Sequence, residues 1–443
     1  VSYALPAFKS RKIPYDFLNA ALFPLKVFYV LVSNPVALFL GALTAMLFRP
    51  PDLKTFPIDR VAFLVLVIVL LARFCIRRER LWVSSVTWPL LGLTLLGFWG
   101  ALTQPYSSEA WSLFAARWAV PFVLFHFAGS IFSDDNALLS LELYLVIALG
   151  YLSIISVLSL FNASNLIFPR FIADESIGIH IDRARGPFLQ AVANGMCLNL
   201  LGLVALGSYG RGRLRAPLAL LLFVMVPLAM LATRTRAVWI SAALSLVYLA
   251  FRAPSPRLRR ASRAICLTGV VSALAFLAYH RNGDSFSERL GDRSPVEFRT
   301  EMYTAGWEMF TEKPLAGWGN EWQMQPEIEK RVSSFHPEYY VFHNTFLQLT
   351  VERGVIGLAL YGWLIFCLFR LSGRTATGSR LPFLDAEFRK LWPLLIAVYV
   401  FNACAVVMNY QFVNALLFTI AGILASAETR GGTDVASTKE CGA

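Results

Sequence analysis

The stretch Leu138-Leu-Ser-Leu-Glu-Leu-Tyr-Leu-Val-Ile-Ala-Leu-Gly-Tyr-Leu-Ser-Ile-Ile-Ser-Val-Leu-Ser-Leu-Phe161 decides the fold. It is apolar without alternation, and longer than the ~20 residues a helix needs to cross the hydrocarbon core of a bilayer. A membrane barrel strand alternates in polarity and is only about 10 residues long, so the run reads as a helix. Comparable runs lie at about 27–48, 59–76, 82–103, 115–133, 188–209, 216–233, 236–251, 264–280, 345–369, 389–409 and 411–427, about twelve in all. Residues 17–26 suit an additional helix lying at the interface. Hydrophobic residues make up 57% of the 443 and charged residues only 15%, against about 25% charged in soluble chains. A soluble globular enzyme is thereby excluded, and the expected fold class is all-α, a polytopic membrane protein with about twelve transmembrane helices.

The net charge of +12 follows the same division. An even number of spans puts both termini on one side. Lys9, Arg11, Lys12 and Lys26 fall there, as do Arg73, Arg77, Arg78 and Arg80, Arg211, Arg213 and Arg215, and the group Arg252, Arg257, Arg259, Arg260 and Arg263. The opposite side is close to neutral. This is the positive-inside pattern, so the termini are expected in the cytoplasm and nucleic acid is not needed as a partner. Val1–Pro14 has charges but no apolar region leading to a small-residue cleavage site, so no cleavable signal peptide is expected. The cysteines, scattered through the spans, read as buried free thiols, and no Cys or His pair has metal-ligand spacing.

Two external segments interrupt the short connections, one at about 162–187 and one at 281–344. The chain thus divides into residues 1–280 (nine helices and the first external segment), 281–344 (a large external loop) and 345–443 (three helices and a tail). In the large loop Phe298, Met302, Ala305 and Met309 fall on one helical face, ended by Pro314. The segment Pro314-Leu-Ala-Gly-Trp-Gly-Asn-Glu-Trp322 has the glycines of a tight turn, and a second short helix is expected at about 322–334, carrying Glu327, Glu329, Lys330 and Arg331 outward.

Basic side chains gather on the external face. The runs 216–233 and 236–251 leave almost no loop, so Arg234 and Arg236 stand at a hairpin tip at the membrane surface. Charges at that depth point to function, the alternative being arginines that snorkel to lipid phosphates. Arg183 and Arg185 precede the sixth span, with Asp182, Asp174 and Glu175 as alternative ion-pair partners. The large loop adds Arg281, Arg289, Arg293 and Arg299. Guanidinium groups suit phosphate through their bidentate fork. Of the histidines, His126 sits in an apolar run and reads as structural, and His180 and His280 have no supporting context. His336 and His343 end the loop, and His343 stands directly before a long apolar helix, where a neutral imidazole can accept a proton from an alcohol; capping or packing is the alternative. Together these residues fit a group transfer whose leaving group is a lipid-linked pyrophosphate. Glu352, nine residues past His343 and on the far side of the helix, is expected to pair with Arg353.

Arg185-Gly-Pro-Phe188 followed by Asn194, then Thr235-Arg236, then Arg299 ahead of Pro314-Leu-Ala-Gly317-Trp-Gly319, and finally His343-Asn344-Thr-Phe346-Leu347 with Glu352, Gly354 and Gly357, resemble the O-antigen ligase and polymerase superfamily of bacterial envelope enzymes. The resemblance implies a GT-C-type glycosyltransferase of the bacterial inner membrane, with a large helical periplasmic loop and its active site facing the periplasm. A ligase of this family acts in lipopolysaccharide biosynthesis, moving O-antigen from undecaprenyl pyrophosphate, the donor, to a sugar hydroxyl of the lipid A core oligosaccharide, the acceptor. On this resemblance His343 is the base and Arg185, Arg236 and Arg299 hold the pyrophosphate. Arg183, Arg234, Arg289, His336 and Asn344 are second choices, and neither metal nor cofactor is expected. The hairpin departs from the family's Ser-Arg-Gly, reading Thr235-Arg236-Ala237. Related alternatives are an O-antigen polymerase or a protein O-oligosaccharyltransferase. From another class comes a lipid transporter, which would have internal repeats, interrupted helices and ionisable groups deep in the membrane.

Overall fold

The computed structural model describes residues 33–49, 57–77, 82–178, 181–279, 294–332, 340–372 and 381–440. The interfacial helix expected at 17–26, the N-terminal stretch, His180, His280, Arg281, Arg289, Arg293 and His336 lie outside them. Fourteen helices follow in order: α1 Pro35–Leu47, α2 Ile58–Arg77, α3 Thr87–Leu102, α4 Ser108–Ile131, α5 Asp135–Leu160, α6 Ala191–Gly210, α7 Ala216–Ala232, α8 Arg236–Arg252, α9 Pro256–Tyr279, α10 Ser294–Glu312, α11 Glu321–Glu329, α12 Thr345–Arg370, α13 Ala386–Ala403 and α14 Gln411–Glu440. No strand occurs among the described residues.

Each apolar run of the sequence overlaps a helix among the described residues. Among the described residues α4, α5, α6, α12 and α14 are long and apolar enough to cross a membrane, and α1, α3 and α7 are shorter apolar helices. One boundary moves. The basic stretch before residue 264 is not a loop but the opening of α9, because Ser255 Oγ accepts from Leu258 N at 3.3 Å and Pro256 starts the helix. The second loop helix also ends earlier than expected, at Glu329. The helix over Phe298–Met309 is present as α10, with Met302, Ala305 and Met309 buried.

α6 and α14 are almost wholly buried, and the other helices surround them. α14 lies against α4 at backbone contact: a Cβ on Gly422 would stand 2.1 Å from the Phe125 carbonyl, and one on Gly129 2.3 Å from Ser426 Cβ. Small residues at such seams let apolar helices approach closely. The outward faces are apolar too, with Leu64, Leu143, Ile147, Leu220, Leu244 and Leu267 all exposed. A surface of this kind needs a lipid environment.

The polar contacts separate the two ends of the bundle. At one end Arg49 meets Gln411 Oε1 at 2.8 Å and Ser112 Oγ at 2.7 Å. At the other, Glu142, Arg211, Arg213 and Asp385 form one ion cluster. The first set lies at the start of α4 and α14 and just after α1. The second set lies near the start of α5 and α13 and just after α6, so these helices run up and down alternately. Of the five free cysteines described, only Cys197 and Cys367 are buried.

Candidate active site

The hairpin between α7 and α8 is as short as expected, with only residues 233–235 between the helices. Arg234 turns the corner at φ +47° and pairs with Asp182 at 3.4 Å, while Arg236 is the exposed first residue of α8. Ala184 N donates to Ala232 O at 2.9 Å, tying the external segment to this tip. Arg183 is half-buried on the same segment.

Arg185 is buried, and its guanidinium is committed to the backbone: it donates to Ile177 O at 2.5 Å, Ile172 O at 2.9 Å and Asp174 O at 2.8 Å. Three backbone carbonyls of the external segment are thus among its partners, and its charge also reaches the Asp174 carboxylate. Asn194 Nδ2 donates to Ala184 O and Ser156 Oγ, both at 2.9 Å, and Gly186, at φ +60°, packs so closely on Asn194 that a Cβ would stand 2.7 Å from its Oδ1. The Arg-Gly-Pro-Phe motif and Asn194 therefore build one rigid corner.

Beneath the hairpin lies an apolar cavity of about 340 Å³. Its walls include Val226, Pro227, Met230 and Leu231 of α7, and Trp239 and Leu246 of α8, and it starts within one turn of the arginine-bearing tip. Trp239 Nε1 donates to Met230 O at 2.7 Å and holds the upper wall closed.

His343 is fixed from both sides. Phe342 is fully buried in the loop's own core with Met302, Met309, Met324 and Ile328, and it packs on Gly306 of α10. Gln325 of α11 clamps Tyr340, accepting from its N at 3.0 Å and donating to its O at 2.8 Å. On the other side Asn344 caps α12, its Oδ1 accepting from Phe346 N at 2.9 Å and Leu347 N at 3.2 Å. This gives Asn344 a structural task. His343 itself is held at φ +50°, a conformation uncommon for a residue with a side chain and found disproportionately at functional sites.

Arg299 lies seven residues before Gly306, on the same face of α10, which brings its charge to His343. Burial, then the Arg299 charge, lowers the imidazole pKa below its ordinary value, so the ring is neutral at pH 7. The face carrying His343 connects to the hairpin through α13. Thr345 Oγ1 donates to Val406 O at 2.8 Å, and Asn402 Nδ2 donates to Ser241 Oγ of α8 at 3.0 Å. Phe188 stacks on Phe412 at 5.7 Å, adding the Arg185 corner to the same region.

α12 is broken at Gly354 (φ 62°, ψ −160°), and the glycine-punctuated segment fills the break. Trp318 N donates to Val351 O at 2.8 Å, Gly319 N to Glu352 O at 3.0 Å, and Val355 N to Pro314 O at 2.8 Å. A Cβ on Gly354 would stand 2.2 Å from Leu315 O, so only glycine fits there.

The expected Glu352–Arg353 pair gives way to a longer-range one. Glu352 receives Arg117 Nη1 at 2.9 and 3.1 Å and Gln348 Nε2 at 2.7 Å, whereas Arg353 donates to Asn320 Oδ1. Arg117 lies in a π-helical turn, Ala115–Ala119, within α4 and also donates to Asn409 Oδ1. Counting 1.5 Å per residue, this pair sits about 10–14 Å below the ends of its helices. The unusual charges are therefore not confined to the outer surface, and sequence reading passed over Arg117. A lone arginine inside an apolar run was the signal. His126, as expected, is structural: its ring nitrogens meet Phe122 O at 2.8 Å and Thr87 Oγ1 at 3.2 Å.

These features are those of a multi-pass helical membrane protein in which the arginine-bearing hairpin adjoins an apolar cavity. Residues 218–362, from within α7 to within α12, match the family model described as O-antigen ligase. Among curated proteins nothing matches the chain significantly. The matched span holds the hairpin, the loop helices, His343 and the broken helix; Arg185 lies before it.

Proposed function

We propose that the protein is an O-antigen ligase, transferring a glycan from undecaprenyl pyrophosphate to a sugar hydroxyl of lipid A core on the periplasmic face of the bacterial inner membrane. The observation that carries this reading is the arginine-bearing hairpin standing over a large apolar cavity walled by the same two helices. That arrangement suits an amphiphile with an apolar tail and a strongly anionic head. In the reaction the acceptor oxygen attacks the anomeric carbon, and the bond from that carbon to the pyrophosphate oxygen breaks. The acceptor proton passes to a ring nitrogen of His343, and the electron pair leaves with the lipid pyrophosphate. Arg236, Arg234 and Arg299 stabilise the charge that grows there. Arg185 is assigned a supporting part: it holds the external segment together, next to the Ala184 bond that ties that segment to the hairpin. About twelve membrane passages, a GT-C-type architecture and cytoplasmic termini belong to the same reading, and the positive-inside charge distribution supports them.

The broken helix and the buried Arg117–Glu352 pair are features a transporter would also have; the family match favours transfer. The test is reconstitution of the purified protein with lipid-linked O-antigen and lipid A core. Glycan joined to core is the expected product. A ladder of longer lipid-linked chains without core-linked product would replace the ligase with a polymerase, and no glycan transfer in any combination would overturn the enzymatic reading.

A further inference from the structure

A second polar site lies apart from the hairpin and its cavity. Between α3, α4 and α12 opens a cleft of about 60 Å³, whose charged lining is Arg117, Arg353 and Glu352, joined by Gln104 and Asn320 among apolar and small side chains. Three departures from regular structure meet around it: the π-helical turn that carries Arg117, the break of α12 after Arg353, and the Pro314–Asn320 segment seated in that break. π-Turns and interrupted helices inside membranes concentrate at binding sites. Both arginines, Glu352 and Asn320 are held before any ligand arrives. Arg117 is braced by Glu352 and Asn409, Glu352 by Gln348, and Arg353 by Asn320, which itself donates to Gly100 O.

The lining thus carries two guanidinium groups against one carboxylate, in a cleft whose α3 wall is Leu93, Leu96, Gly97 and Ala101, while Leu95, Trp99 and Leu102 of the same helix are exposed. Two cations close together in a low-dielectric site favour a further anion. We infer that this cleft is an anion subsite that takes a phosphate group, with Arg117 and Arg353 as its ligands and Glu352 as a competitor for Arg117. Phosphate can arrive as a lipid headgroup or free in solution, and the chemistry of recognition is the same. The site does not depend on the transfer reading.

The test is native mass spectrometry of the detergent-purified full chain with phosphatidylglycerol, using diacylglycerol as the uncharged control and inorganic phosphate as competitor. Arg353→Gln should retain about tenfold less phosphatidylglycerol than wild type, and Arg353→Lys should keep most of it. Glu352→Gln should retain more than wild type, because Arg117 is released to the ligand; a gain cannot come from misfolding. In an Arg236→Ala background, Arg353→Gln should lower phosphatidylglycerol retention by the same factor as in wild type, which separates this cleft from the hairpin. Displacement by inorganic phosphate assigns the site to phosphate alone, and persistence of the lipid assigns it to a headgroup. Equal phosphatidylglycerol retention by wild type, Arg353→Gln and Glu352→Gln would overturn the inference and leave the Arg117–Glu352 pair a staple between α4 and α12.

Discussion

Replacing Arg185 separates two roles that the sequence left together. Its guanidinium makes three charge-assisted hydrogen bonds, to Ile177 O, Ile172 O and Asp174 O, from a buried position. Bonds of this kind contribute about 1.5–3 kcal/mol each. Carbonyls freed at a membrane surface regain some water, so the net loss in Arg185→Ala is set at about 3–5 kcal/mol. That corresponds to a fall of at least about a hundredfold in the protection of the clamped segment. Hydrogen–deuterium exchange of peptides covering residues 170–178 in the detergent-purified protein reads this directly. Arg185→Lys should fail almost as badly, since an ammonium cannot span three carbonyls in the planar geometry of a guanidinium. Unchanged protection in Arg185→Ala would refute the reasoning. Normal protection with lost donor binding in the lysine variant would make Arg185 a phosphate ligand instead.

Four further outcomes follow from the same geometry. Since Arg299 helps depress the His343 pKa, Arg299→Gln should raise it, moving the acid limb of the transfer-rate profile to higher pH; a limb that stays put would remove Arg299 from the imidazole's surroundings. The sign for stability is that the folded state resists protonating His343, so its contribution is present above the ordinary value of 6.5 and lost as pH falls below it. Gly354→Ala should cost at least ~2 kcal/mol in thermal unfolding, because the added Cβ meets the Leu315 carbonyl at a positive φ. Asn344→Ala should cost ~1 kcal/mol and Asn344→Asp almost nothing, as expected for a cap; equal loss of transfer in both would give Asn344 a chemical role. Arg236→Ala should raise the donor KM more than it lowers kcat, and the reverse split would place Arg236 at the reacting bond.

The parts legible in the sequence are those set by local arithmetic. The hairpin tip followed from too few residues for two crossings, and α10 from the spacing of Phe298, Met302, Ala305 and Met309. His343 was placed at a helix start because a long apolar run follows it. What could not be read depends on partners far away in the chain. Arg117 and Glu352 are 235 residues apart, and each by itself is a single charge inside an apolar run, with nothing local to name its partner. Pro314–Gly319 announced a turn, but nothing local says that its backbone completes the hydrogen bonding of a broken α12. Gly354 looked like any glycine in a helix until Leu315 closed on it. Arg185 was legible as an important arginine, yet three carbonyls from one loop leave no trace in composition or period.

The central claim is that His343 accepts the acceptor's proton while the arginines hold the donor. Its most direct test is His343→Ala in a reconstituted assay that measures core-linked glycan and, separately, retention of lipid-linked donor on the purified protein. The account predicts that transfer falls by at least about a hundredfold while donor retention stays near the wild-type level. Near-normal transfer in His343→Ala would contradict it.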